Sequence, residues 1–95
     1  MELLQKIETS VLRSAAGRVL RLDYYLLAQT EGPAQQITGP YGLEIILTDQ
    51  EGVRRERCRN LTGDYRKAVA LIHTFAANRI LPPSMLARLD EFRFQ

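Results

Sequence analysis

The clearest pattern along the chain lies in "RVLRLDYYLLAQ", residues 18–29. Leu20, Leu22, Tyr24, Leu26 and Ala28 alternate with Val19, Arg21, Asp23, Tyr25, Leu27 and Gln29, so one set is apolar and the other mixed. A period of two predicts a half-buried strand. "YGLEIILTD" repeats it, with Leu43, Ile45 and Leu47 on one side and Glu44, Ile46 and Thr48 on the other. Between them "TEGPAQQITGP" is polar and rich in Gly and Pro. At eleven residues it is long for a hairpin connection and is expected to be a mobile loop over about residues 30–40. "DQEG" reads as a tight turn, and "VRRERCRNL" as the return strand.

Towards the other end of the chain, the period changes. In "TGDYRKAVALIHTFAANR", Tyr65, Ala68, Val69, Ile72, Phe75 and Ala76 trace one face of a helix over residues 63–78. Thr62 or Asp64 can accept its free amide hydrogens, and Asn78 suits a left-handed residue at its end. "LPPSMLARLDEFRF" begins a second, shorter helix, with proline in its first turn and Met85, Leu86, Leu89 and Phe92 on its apolar side. The opening segment reads two ways. "KIETSVLR" alternates as a strand through Ile7, Thr9, Val11 and Arg13, while Leu3, Leu4, Ile7, Val11 and Ala15 fall on a helical stripe. Thr9, Ser10 and Val11 are poor helix formers, which favours the strand. The fold class expected is α+β: a three- or four-stranded antiparallel meander with two C-terminal helices packed on one face, in a single domain spanning residues 1–95.

The order "DYYLLAQ", "YGLEIIL", "NLTGDYRKAVALI" and "NRILP" resembles a family of small bacterial proteins of unknown function, found mainly in anaerobic Gram-positive species. There a "YYL" strand, a "YGIEI"-like strand, an "IT-x-D" helix start and an "N-x-V-T-P" helix junction recur in this order. The likeness runs over roughly residues 18–90. Leu81 stands where that family often has Thr before the proline, which removes a capping side chain. The resemblance implies the fold and carries no catalytic residue across.

Composition narrows the function classes. With 45% hydrophobic and 25% charged residues, the chain is ordinary for a globular protein. Its apolar runs are far shorter than the ~18 residues that span a bilayer, and "MELLQKIETS" has no basic lead into an apolar core. The single cysteine, Cys58, cannot form an internal disulfide, which fits a reducing, cytoplasmic setting. The net charge is only +2, but residues 53–67 concentrate Arg54, Arg55, Arg57, Arg59, Arg66 and Lys67 against Glu56 and Asp64.

Catalytic chemistry finds no set of residues to carry it. Nucleophilic catalysis needs a nucleophile beside a base; Cys58 and the one histidine, His73, lack a third orienting group. Four paired ligands for zinc and the glycine spacings of a phosphate cradle are missing, and "GPYG" and "LTGD" do not supply them. Neither enzyme nor cofactor nor metal is expected. Two surfaces remain. Arg55, Arg57 and Arg59 share one strand face at ~6.6 Å steps, as a solvated edge, as an anion- or nucleic-acid-binding row, or as a patch for an acidic protein partner. If Cys58 and Leu61 both face the core, a bulge must separate them. The second surface is the outer sheet face, where Val19, Tyr25, Leu27 and Ile46 would cluster for a protein partner or a second copy, unless the N-terminal segment covers them. The function expected is that of a small non-enzymatic interaction or regulatory module acting through a protein partner or as a homodimer; the alternative is a nucleic-acid-binding or nucleic-acid-mimicking factor, such as a small phage-type inhibitor of a nucleoprotein complex.

Overall fold

The structure is a computed structural model that describes residues 1–92, with the side chain of Phe92 excepted. The expectation for Phe92 therefore lies outside the described residues. Four strands run in chain order as one antiparallel sheet: β1 (Glu2–Arg13), β2 (Val19–Glu31), β3 (Gln36–Asp49) and β4 (Gly52–Thr62). Helix α1 (Tyr65–Ala77), a 3₁₀ turn at Pro82–Ser84 and helix α2 (Met85–Phe92) follow. The α+β meander is thus four-stranded, and the opening segment is a strand. "SAAG" turns it into β2: Gly17, in a left-handed conformation (φ +81°), donates its amide to the Ser14 carbonyl at 3.0 Å.

The segment read as a loop over residues 30–40 is mostly strand. Thr30 pairs with Ile37 and Glu31 with Gln36, leaving Gly32–Gln35 as the connection. Gly32 and Gln35 both take positive φ (73° and 50°), and it is these two residues that make so short a reversal feasible. The irregular part lies further along. Between Leu27–Gly42 and Gln29–Thr38 the pairing register shifts, with one extra residue on β2 and three on β3, among them the cis Gly39–Pro40 bond.

Two further bulges fix which side chains face which way. In β1, Lys6 pairs with Tyr25 and Glu8 with Tyr24, so Ile7 is the extra residue. The expected alternation of Ile7 with Thr9, Val11 and Arg13 is broken there: Ile7 packs on the core, while Thr9 and Val11 lie across from Asp23 and Arg21 on the other face. In β4 the register shifts between the pairs Leu43–Cys58 and Tyr41–Thr62, with Asn60 at φ +60°. That bulge lets both Cys58 and Leu61 pack against the core.

The helices cover the face formed by Leu22, Tyr24, Leu26, Leu43, Ile45 and Leu47, all buried, with Ala68, Ile72, Phe75, Met85 and Leu89 packed onto them. Leu86 is exposed (51%) and takes no part in it, while Tyr65, 43% exposed, meets it only at the margin, edge-on to the buried Tyr41 ring at 5.6 Å between centroids. Asp64 caps α1, its carboxylate accepting from the amides of Arg66 (2.9 Å) and Lys67 (3.3 Å); Thr62 instead accepts from the Asp64 amide at 3.1 Å. At the other end the left-handed residue is Arg79 (φ +51°), one position beyond Asn78. Asn78 stays near the right-handed region because its side-chain amide donates to the Thr74 carbonyl at 2.8 Å. Leu81 precedes the 3₁₀ turn without a side-chain cap. The chain here is tied down from beneath: the buried Tyr24 hydroxyl donates to the Ile80 carbonyl at 3.1 Å.

Two outcomes follow. Phe75→Ala empties a fully buried aromatic site and is expected to cost about 3–5 kcal/mol, most of the stability of so small a domain; a denaturant titration reads this directly. Burial, assisted by the Glu8 charge, pushes the Tyr24 hydroxyl up to about 12, against about 10 in an unfolded chain. Folding therefore favours the protonated phenol. Its contribution is whole below pH ~10 and is lost as pH rises towards about 12. Tyr24→Phe should cost about 1–2 kcal/mol at pH 7 by stranding the Ile80 carbonyl, and that difference should shrink above pH ~10.

Candidate interaction surface on the helix-free sheet face

Opposite the helices, the register sets four rows side by side. β1 presents Glu2, Leu4, Lys6, Thr9, Val11 and Arg13; β2 presents Val19, Arg21, Asp23, Tyr25 and Leu27. β3 adds Gly42, Glu44, Ile46 and Thr48, and β4 adds Val53, Arg55, Arg57 and Arg59. No helix lies over this face, yet Asp23 and Glu44 on it are 2% and 0% exposed. Side chains of the edge strands supply the cover.

At one end Arg57 donates through Nε to Glu44 Oε1 at 2.7 Å and through Nη1 to Glu2 Oε1 at 2.9 Å. Arg59 donates to both Glu2 oxygens, at 2.8 and 3.2 Å. Glu2 sits on β1 and the arginines on β4, opposite edges of the sheet, nominally ~14 Å apart at three strand spacings. Gly42 explains the reach. A Cβ there would lie 2.3 Å from the Cys58 carbonyl oxygen and 3.0 Å from the Arg59 Cα, so the bulged β4 backbone rolls over the face at this point. Leu27, paired with both Leu4 and Gly42, lies between the bridged edges and is 3% exposed. The Arg59 hydrogen bond holds the Glu2 carboxyl below the usual glutamate range, against a smaller opposing effect of burial.

Midway along the face, Asp23 takes the Thr9 hydroxyl at 2.7 Å, the Arg21 Nε at 3.1 Å and the Lys6 ammonium at 3.4 Å. Burial alone would raise its pKa, but the Thr9 hydrogen bond and the charges of Lys6 and Arg21 outweigh it and hold the carboxyl below the ordinary aspartate value. Lys6 also lies 5.7 Å over the ring of Tyr25, which is half-buried.

Nearest the turns, the face is open. Val11 is 65% exposed, Val53 57% and Val19 39%, with Ile46 half-buried among them. Arg13, Arg21 and Arg55 stand between these groups, and neither Arg13 nor Arg55 has an anionic partner among the described residues. Over the four-stranded part of the face, six cations (Lys6, Arg13, Arg21, Arg55, Arg57, Arg59) oppose three carboxylates (Glu2, Asp23, Glu44). The excess exceeds that of the whole chain, +2.

The sequence expectation for this surface therefore needs two corrections. Leu27 is not available to a partner, because the bridged ends of β1 and β4 close over it. The arginine row is not uniform: Arg57 and Arg59 are engaged within the chain, and Arg55 is the one of the three without an anionic partner among the described residues. Of the apolar set, Val19, Tyr25 and Ile46 remain at least partly accessible. Val11 and Val53 were missed. Val53 continues the Arg55–Arg59 alternation and was legible; Val11 joins this face only through the bulge at Ile7, which has no sequence signal.

Elsewhere, His73 Nδ1 meets Glu8 of β1, while Cys58 lies on β4 at the far edge, so these two do not form a pair. A cleft of about 260 Å³ between the two hairpin turns is lined by Ser14, Arg18, Val19, Leu20, Asp49, Gln50 and Glu51, below the usual size of a small-molecule pocket. Among the described residues, no His, Cys, Asp and Glu side chains gather as a metal site, and no helix is long and apolar enough to cross a membrane.

The model of a family of unknown function (DUF6514) matches residues 4–94. No curated protein and no solved structure matches.

Truncating Arg57 leaves the fully buried Glu44 carboxylate without its cation. Arg57→Gln is expected to cost roughly 2–4 kcal/mol, and Arg55→Gln less than about 0.5 kcal/mol. Equal melting curves for the two variants would show that the bridge contributes nothing.

Proposed function

The chain belongs to that family of unknown function, DUF6514, and we propose that it is a small non-enzymatic interaction module whose helix-free sheet face binds an acidic protein partner. The observation that supports this reading is the composition of the open part of the face. Exposed Val11, Val19 and Val53 are interleaved there with Arg13, Arg21 and Arg55, two of which have no anionic partner among the described residues. Apolar groups framed by arginine are the usual make-up of a contact surface, and a positive face selects and steers a negative one. Its charge excess opposes face-to-face pairing with a second copy. In keeping with the resemblance to small proteins of anaerobic Gram-positive bacteria, the setting we assign is the bacterial cytoplasm.

A nucleic-acid partner would use the same arginines. Against it stands Tyr25, the one aromatic of the face among the described residues, half-buried with Lys6 over its ring and so a poor platform for base stacking.

The readings separate on one pair of measurements. Affinity capture with the parent, after nuclease treatment, should retain an acidic protein that Arg13→Glu/Arg55→Glu loses at unchanged circular dichroism. Labelled single-stranded and duplex oligonucleotides should show no binding at ~50 mM salt; binding that weakens steeply with added salt would favour the nucleic-acid reading.

A further inference from the structure

β1 is an edge strand of 12 residues, and its sequence of exposed and half-buried positions reads the same from either end. The centre of that symmetry falls between Ile7 and Glu8, at the bulge. We propose that two copies of the chain pair antiparallel along β1 about a twofold axis at this point, joining their four-stranded sheets into one.

The register this axis imposes is the one the side chains fit. Because the bulge shifts the phase, Leu4 and Val11 both belong to the helix-free face, and Leu3 and Leu12 both to the helix side. About the axis, Leu4 lies opposite the copy's Val11, and Leu3 opposite the copy's Leu12, each pair on one side of the sheet. Leu4 and Val11 are 38% and 65% exposed in the single chain, so pairing covers apolar surface that the fold leaves open. Glu2 lies opposite the copy's Arg13, which has no anionic partner among the described residues of its own chain. Between them Gln5 meets the copy's Ser10 and Lys6 its Thr9, and at the axis Ile7 lies opposite the copy's Glu8, both on the helix side. A slip of one residue would set inward against outward side chains; a slip of two would bring Arg13 against Leu4 and move bulge away from bulge. Antiparallel self-pairing of the other edge, β4, would set arginine against arginine, which is how natural sheets keep an edge unpaired. Two ladders, residues 2–6 against 9–13 and the reverse, meet at the axis. Both helix layers then lie on one side, and the other side becomes one uninterrupted face. The pairing draws Val11 and Arg13 of the open end into the seam and leaves Val19, Val53, Arg21 and Arg55 for an acidic partner; the mass of the chain alone tests it apart from that partner.

Light scattering of the full chain from about 1 to about 200 µM spans the range in which a standard-size interface is populated. The dimer mass is expected, with Val11→Lys raising the dissociation constant at least about tenfold at unchanged circular dichroism, since a lysine replaces one of each apolar pair. In a Cys58→Ser background, Leu4→Cys/Val11→Cys should give a covalent dimer on mild oxidation, because directly opposite positions come within disulfide reach; Leu4→Cys/Thr9→Cys, out of register, should not. A parent that stays monomeric throughout overturns the proposal. So does a dimer that tolerates Val11→Lys and is dissociated by Ile46→Lys, which would place the contact on the sheet face.

Discussion

Arg57 lies across the side of the sheet that has no helices, and much of that side is arranged around it. Its guanidinium joins a fully buried glutamate in the neighbouring strand to a glutamate on the opposite edge. A sheet with helices on a single face has no second layer to protect the other. Here edge side chains bridge over it, and their aliphatic stems cover what lies beneath while the charged heads meet one another. The arrangement depends on backbone as much as on charge. Only with glycine at residue 42 can β4 roll inward far enough for two arginines to meet Glu2. One oxygen of Glu44 is buried with no hydrogen-bond partner among the described residues, so the bridge is kept at some cost in desolvation.

The consequence for function is a face divided in two. The bridged end is closed and spends its charges internally; the end nearest the turns keeps free arginines and uncovered valines. What recognises a partner is therefore the part with fewest internal obligations. The same logic applies at the edges, where β4 is guarded by repeated arginine while β1 carries a sequence compatible with its own reversed copy.

Much of the fold was legible because it rests on periodicity. The alternation in residues 18–29 and 41–49 and the helical stripe through Ile72 and Phe75 are strong local signals, and both place side chains on the correct sides. The requirement for a bulge between Cys58 and Leu61 could also be read, since two apolar groups three apart cannot share a strand face otherwise. The bulges at Ile7 and between Leu27 and Gln29 could not. Nothing local marks them, and the first moved Val11 and Thr9 to the opposite face. Burial of Leu27 was equally hidden, because it depends on two ion pairs, Arg57 and Arg59 with Glu2, whose partners lie 55 and 57 positions apart along the chain. The glycines and prolines of residues 32–40 suggested a loop, but they serve a four-residue reversal and an irregular ladder.

A cover made of ion pairs responds to heat differently from one made of hydrocarbon. Hydration of charged groups becomes less favourable as temperature rises, which lowers the cost of keeping Glu44 and Asp23 away from water, whereas the gain per unit of apolar area levels off. On warming, the two sides of this one sheet thus drift apart in relative strength. The helix side, built on Phe75, Ile72 and Met85, sets the upper limit of thermal endurance, and the charged side holds its geometry up to that limit.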